Sequence, residues 1–131
     1  MPFKAILRKL VEDTPHASGA VVADWEGEAV EHHCLYDDYE LKLLSAHKGI
    51  ILNRMREIHG DLTAGDLQDV VITTGKQLII IGVVGPEYSL VMTLAREALI
   101  GQALYRFRQA VKLLERRYIR WLRKRRVFSG V

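Results

Sequence analysis

The chain has 131 residues and a mass of 14.9 kDa, the size of one ordinary domain; its 49% hydrophobic and 27% charged content, with three prolines, excludes a disordered polymer and a collagen-like repeat. No apolar run approaches the ~20 residues of a transmembrane helix, the longest being the strand-length run from Leu78 to Gly85, and no signal-peptide core opens the chain, so a cytoplasmic protein is expected. The net charge of +3 hides an asymmetry: residues 104–131 carry ten Lys and Arg against one Glu, and the rest carries nine against fifteen acids, so the basicity is local.

Phe3, Ile6, Leu7, Leu10 and Val11 recur at helical spacing, and Thr14-Pro15 stops them, which predicts a short amphipathic helix over 3–12. A Val-rich strand is predicted from Gly19 to Asp24, a turn at Trp25-Glu26-Gly27, and a returning strand from Glu28 to Cys34. Asp37-Asp38 offers capping acceptors for a second helix that runs to about His59 and is closed by Gly60. After a loop over 61–69 come three strands, Val70 to Thr74, Gln77 to Val84 and Ser89 to Ala95, separated by Gly75-Lys76 and Gly85-Pro86-Glu87. The middle strand does not alternate, so both faces of the sheet are expected to be covered there. A long helix over 99–126 places Ile100, Ala103, Leu104, Phe107, Val111, Leu114, Tyr118, Trp121 and Leu122 on one arc. The order αββαβββα predicts an α/β (α+β) fold, with five mostly antiparallel strands between helices.

The second predicted helix has more apolar surface than one sheet can hide. Leu41, Leu44, Ile51, Leu52, Met55 and Ile58 form a core-facing arc, and Leu43 and Ile50 widen it to about 200°. A loop or the helical ends would cover them in the simpler reading; a second subunit, approaching over Ser45, Ala46 and Gly49, is the reading favoured. Strand 70–74 has no proline or lysine within it, so as a sheet edge it would need its backbone groups paired, and pairing with a copy of itself satisfies both.

Gly19-Ala20-Val21-Val22-Ala23-Asp24 followed by Gly27, Asp69-Val70-Val71-Ile72-Thr73-Thr74-Gly75, and Leu78-Ile79-Ile80-Ile81-Gly82-Val83-Val84 resemble the Roadblock (dynein light-chain) family over roughly residues 3–115. The resemblance implies a Roadblock/profilin-like domain over 1–115, which forms a homodimer through its third strand and second helix and has no catalytic residues. It also implies a Ras-like small GTPase as partner. Carried onto this chain, Val70, Val71, Ile72, Thr73 and Thr74 are the pairing strand, and Leu43, His47, Ile50 and Arg54 face the dimer mate. Lys42, Ser45, Gly49, Asn53 and Arg56 form the candidate docking surface for the GTPase.

Catalytic and ligand-binding motifs are not found. Adjacent strand residues point to opposite faces, so of His32-His33-Cys34 only His32 and Cys34 share a side, and no second ligand pair stands at zinc spacing. Cys34 has no base placed beside it by a motif and reads as a small buried hydrophobe; a lone cysteine also fits a reducing compartment. Neither G-x-x-x-x-G-K-[ST] nor G-x-G-x-x-G occurs, and Asp37 and Asp38 are accounted for by capping. The expectation is a protein without enzyme activity, metal, cofactor or small-molecule substrate.

The basic extension over 116–131 lies beyond the resemblance. Arg116, Arg117, Arg120, Arg123, Lys124, Arg125 and Arg126 surround Tyr118, Trp121 and Leu122. Four readings stand for it: a solvated helix end favoured by the helix dipole, an anionic membrane surface, an acidic protein, or nucleic acid.

Overall fold

The computed structural model describes residues 3–24, 26, 28–35 and 67–128, the side chains of the last helix to residue 124. Helix α1 (Lys4–Asp13) leads into strands β1 (Ala17–Asp24) and β2 (Ala29–Cys34). Strands β3 (Asp69–Thr73), β4 (Gln77–Val84) and β5 (Tyr88–Ala95) and helix α2 (Ile100–Phe128) complete the order. The helix expected over 37–59 falls outside the described residues.

α1 exists because Phe3, Leu7, Leu10 and Val11 fall on one face, and all four are buried. It ends where the sequence says: Thr14 precedes Pro15 and turns extended (φ −95°, ψ 114°), since the proline ring disfavours the helical conformation of the residue before it. His16 then takes φ 69°, a left-handed step that starts β1 at Ala17, two residues earlier than predicted. At the β1–β2 turn the Asp24 carboxylate accepts hydrogen bonds from the backbone N–H of Glu26 and Glu28, at 3.0 Å each, an Asx-type closure.

The sheet order is β2-β1-β5-β4-β3, and every neighbouring pair is antiparallel. Its two faces bury alternate residues. Ala20, Val22, Leu78, Ile80, Leu90 and Met92 pack with Leu7 of α1 and with Phe107 and Leu114 of α2, while Val21, Ile79, Ile81 and Val91 are buried together on the opposite face. Seven apolar residues without alternation in β4 thus mean what they predicted, a strand buried on both sides.

α2 is fastened to the sheet by Ala103, Phe107, Ala110, Leu114 and Tyr118, all buried. A glycine in the central strand is explained here: a Cβ on Gly82 would stand 2.5 Å from Phe107 Cε1, so only glycine lets the ring lie on the strand. At the far end, Tyr118 meets Tyr88 edge to face (centroids 5.2 Å apart), and Tyr88 meets Phe3 likewise (6.2 Å), so one aromatic chain joins both helices to β5. The Tyr118 hydroxyl donates to Glu87 Oε2 at 2.6 Å, which together with burial pushes its pKa up to about 12. The 29 residues of α2 extend about 43 Å. The helix crosses residue 115 without a break, so Tyr118 of the basic extension belongs to the core.

Candidate functional site

β2 and β3 are the two edge strands, and their hydrogen-bond registers show which backbone groups point outward. In the β3–β4 ladder the Thr74 N–H donates to the Gln77 carbonyl (2.9 Å) and the Val83 N–H to the Gln68 carbonyl (3.0 Å). Because the ladder alternates, Gln68, Val70, Ile72 and Thr74 turn their backbone groups toward β4, and Asp69, Val71 and Thr73 turn theirs to the open edge. Among the described residues no strand lies beyond them. Val70 and Ile72 pack against the Val21–Ile79–Ile81–Val91 cluster and Val71 against the helical side, so the side chains are anchored on both faces of the sheet.

Both ends of β3 are held by arginines that the sequence did not single out. Arg108 of α2 grips Asp69 with two hydrogen bonds, Nε to Oδ2 at 2.9 Å and Nη2 to Oδ1 at 3.2 Å. The bond to Asp69, and then its charge, raise the Arg108 pKa. Arg96 Nη1 donates to the Thr74 carbonyl at 3.1 Å. Asp69, read from the sequence as the end of a loop, opens the strand. Thr74, expected to be its last residue, belongs to the turn, where its Oγ1 accepts from the N–H of Lys76 (3.2 Å) and Gln77 (3.0 Å). No periodic pattern announces contacts between residues 39 and 22 positions apart; only the charged residue types hinted at them.

The other expected interface residues, Leu43, His47, Ile50 and Arg54, and the expected docking residues, Lys42, Ser45, Gly49, Asn53 and Arg56, fall outside the described residues. Cys34 packs beside Val21, Ile79, Ile81 and Val91, the place of a small apolar side chain. Among the described residues no three His, Cys, Asp or Glu side chains are grouped to hold a metal ion, and no helix is long and apolar enough to cross a membrane. Among the described residues, concavities flank α2 on two sides. One of about 480 Å³ lies beside β3 and is lined by Leu67, Asp69, Phe107 and Val111; one of about 300 Å³ lies against α1 and is lined by Ile6, Leu10, Arg106 and Leu113. Neither brings a nucleophile and a base together.

The model of the Roadblock/LC7 domain matches residues 4–94. The chain belongs to the Roadblock/LC7 family. Solved structures carry the same fold, three of them as follows. A Roadblock/LC7 domain from Streptomyces avermitilis superposes with a TM-score of 0.78 at 23% identity, covering 88% of this chain and 96% of that one. MglB of Myxococcus xanthus gives 0.79 at 15% identity, covering 88% and 94%. MglB in a tetrameric arrangement gives 0.78 at 17% identity, covering 86% and 84%. At these identities the likeness is one of fold. No curated protein sequence matches the chain. For this Roadblock/LC7 domain the fold expected from the sequence is therefore the observed one, and the candidate site is the β3 edge, which no other strand pairs among the described residues.

Proposed function

We propose that this Roadblock/LC7 domain is a non-catalytic regulatory or scaffold module that works as a homodimer and docks a Ras-like small GTPase. The observation that carries the reading is the β3 edge: a strand of Val70, Val71 and Ile72, braced at both ends by Arg108 and Arg96, with the backbone of Asp69, Val71 and Thr73 turned outward. Antiparallel pairing of two such strands about a two-fold axis near Val71 satisfies the edge groups of both copies and makes one continuous sheet. The apolar residues Leu43 and Ile50, in excess of what one sheet can bury, supply the rest of the interface in this reading, with His47 and Arg54 beside them.

The GTPase partner rests on family membership and on the arc of Lys42, Ser45, Gly49, Asn53 and Arg56. In this reading the domain supplies no catalytic group and acts by holding the GTPase in a particular conformation. Sedimentation of the purified chain tests the dimer, with an expected mass of twice 14.9 kDa; a monomer at high concentration overturns it. Co-purification with the Ras-like GTPases of the source organism, loaded with GDP or a non-hydrolysable GTP analogue, tests the partner. Nucleotide-dependent capture is expected, weakened by Asn53→Ala with Arg56→Ala, and absence of binding to every such GTPase removes the reading.

A further inference from the structure

The C-terminal half of α2 is built unlike the rest of the molecule. From residue 116 to the end of the helix there are seven cations and no carboxylate, whereas residues 1–103 carry six more acids than bases. Arg116, Arg117, Arg120, Arg123 and Lys124 are all exposed, and none has an ion-pair partner among the described residues. Lys112, Arg116, Arg120 and Arg123 fall within an arc of about 80° along the helix. On the adjoining arc, one turn apart, stand Ile119 and Leu122, 49% and 37% exposed. Trp121 is half-buried and stacks on Tyr118, the last described side chain of the helix that is buried in the core. Beyond Tyr118 the helix continues for about 15 Å.

We propose that this cationic end of α2 docks on an anionic lipid bilayer, lying on its surface. Cations alone would suit any polyanion; the exposed Ile119 and Leu122 decide between surfaces. On a nucleic acid backbone they would stay in water, while on a bilayer they enter the boundary between headgroups and acyl chains, with arginines reaching the lipid phosphates beside them. The charge asymmetry orients the contact, because the acidic body is repelled by the surface that attracts the helix end. This inference is independent of the GTPase reading, since it uses no residue of that surface.

Flotation of the intact chain with vesicles of phosphatidylcholine, alone or mixed with phosphatidylglycerol, tests it. Binding is expected only to the mixed vesicles and should fall as salt rises. Arg116→Ala, Arg120→Ala and Arg123→Ala together should weaken it roughly a hundredfold, at about fivefold per cation. Ile119→Ser with Leu122→Ser, which keeps every charge, should weaken it roughly tenfold. All five side chains are exposed, so circular dichroism should show unchanged helix content. Equal binding to both vesicles, full vesicle binding by the Ser variant, or tighter binding to duplex DNA or polyglutamate than to the mixed vesicles at the same salt would each overturn the proposal.

Discussion

At the β2 edge Lys4 reaches across from α1 to donate to the His32 carbonyl and lies 3.7 Å from Glu31, whereas at the β3 edge, among the described residues, no lysine, proline or covering side chain occupies the outward backbone of Asp69, Val71 and Thr73. β1 and β2 are also irregular, with a register shift between Val22 and Ala23, while β3 and β4 pair without interruption from Asp69 to Thr73. A charged side chain on the edge and a bulge beside it are two ways a sheet is kept from growing. Among the described residues one margin is thus closed and the other left open, and the open one is the margin that two arginines hold at its ends. The difference teaches that, among the described residues, the sheet is finished on one side only, which is the feature the proposed self-association uses.

Proline substitutions give the largest test of that contrast. The Ile72 N–H points into the β3–β4 ladder and the Val71 N–H points out of it, so the same residue type should act oppositely at neighbouring positions. Ile72→Pro breaks a ladder bond and should cost about 3 kcal/mol or more in chemical denaturation. Val71→Pro leaves the ladder whole, so the monomer should stay folded while self-association measured by sedimentation is lost. If both variants stayed associated, the open edge would not be the interface.

Next in size is the seating of α2 beside the same edge. Gly82, paired with Asp69, has Phe107 where its Cβ would go, and the fully buried Phe107 ring must shift to admit a methyl group. Gly82→Ala should therefore destabilise by about 1–3 kcal/mol. Gly101→Ala, where nothing lies within 4 Å, should be neutral or stabilise by up to about 1 kcal/mol through helix propensity. Thermal unfolding of the two variants reads the sign directly.

The elements themselves were legible because periodicity encodes them. The unbroken apolar run of β4, the glycine turns at Gly75 and Gly85, and the arc of Ala103, Phe107, Leu114 and Tyr118 each report a local constraint that a neighbouring layer later satisfies. The strand order was not legible, since antiparallel strands in a chain of this length fit several orders, and the placement of β3 at an edge entered only as a condition. Nor were the contacts that shape the edges: Lys4 with His32, Arg108 with Asp69 and Arg96 with Thr74 join residues 22 to 39 apart, and one ion pair leaves no pattern along a sequence. Nor does the sequence explain Gly82 within the apolar run of β4, because its reason is a ring 25 positions away.

A smaller effect is expected at the end of the sheet, away from both edges. The hydrogen bond to Glu87, reinforced by burial, raises the Tyr118 pKa from 10 to about 12, so the folded state holds the phenolic proton more tightly than the unfolded chain. The stability this contributes is complete below pH 10 and is lost as pH rises toward 12. Glu87→Gln should lower the Tyr118 titration point, followed by ultraviolet absorbance, and shrink the loss of stability across that window.

The smallest effect returns to the closed edge. Lys4 is about half exposed, and its contact with Glu31 is long, so Lys4→Ala should change unfolding free energy by less than about 1 kcal/mol, an amount typical of a surface ion pair. Its consequence should appear in association instead. With the β2 carbonyl uncapped, the sheet would have two margins able to accept a strand, and a molecule that pairs at both margins forms chains rather than a closed pair. Light scattering of Lys4→Ala at increasing concentration should therefore show species larger than wild type, and combining it with Val71→Pro should remove the chains and leave at most pairs joined through β2. Scattering indistinguishable from wild type would mean that Lys4 is not what closes this edge, and that the bulge beside Val22 and Ala23 does so alone.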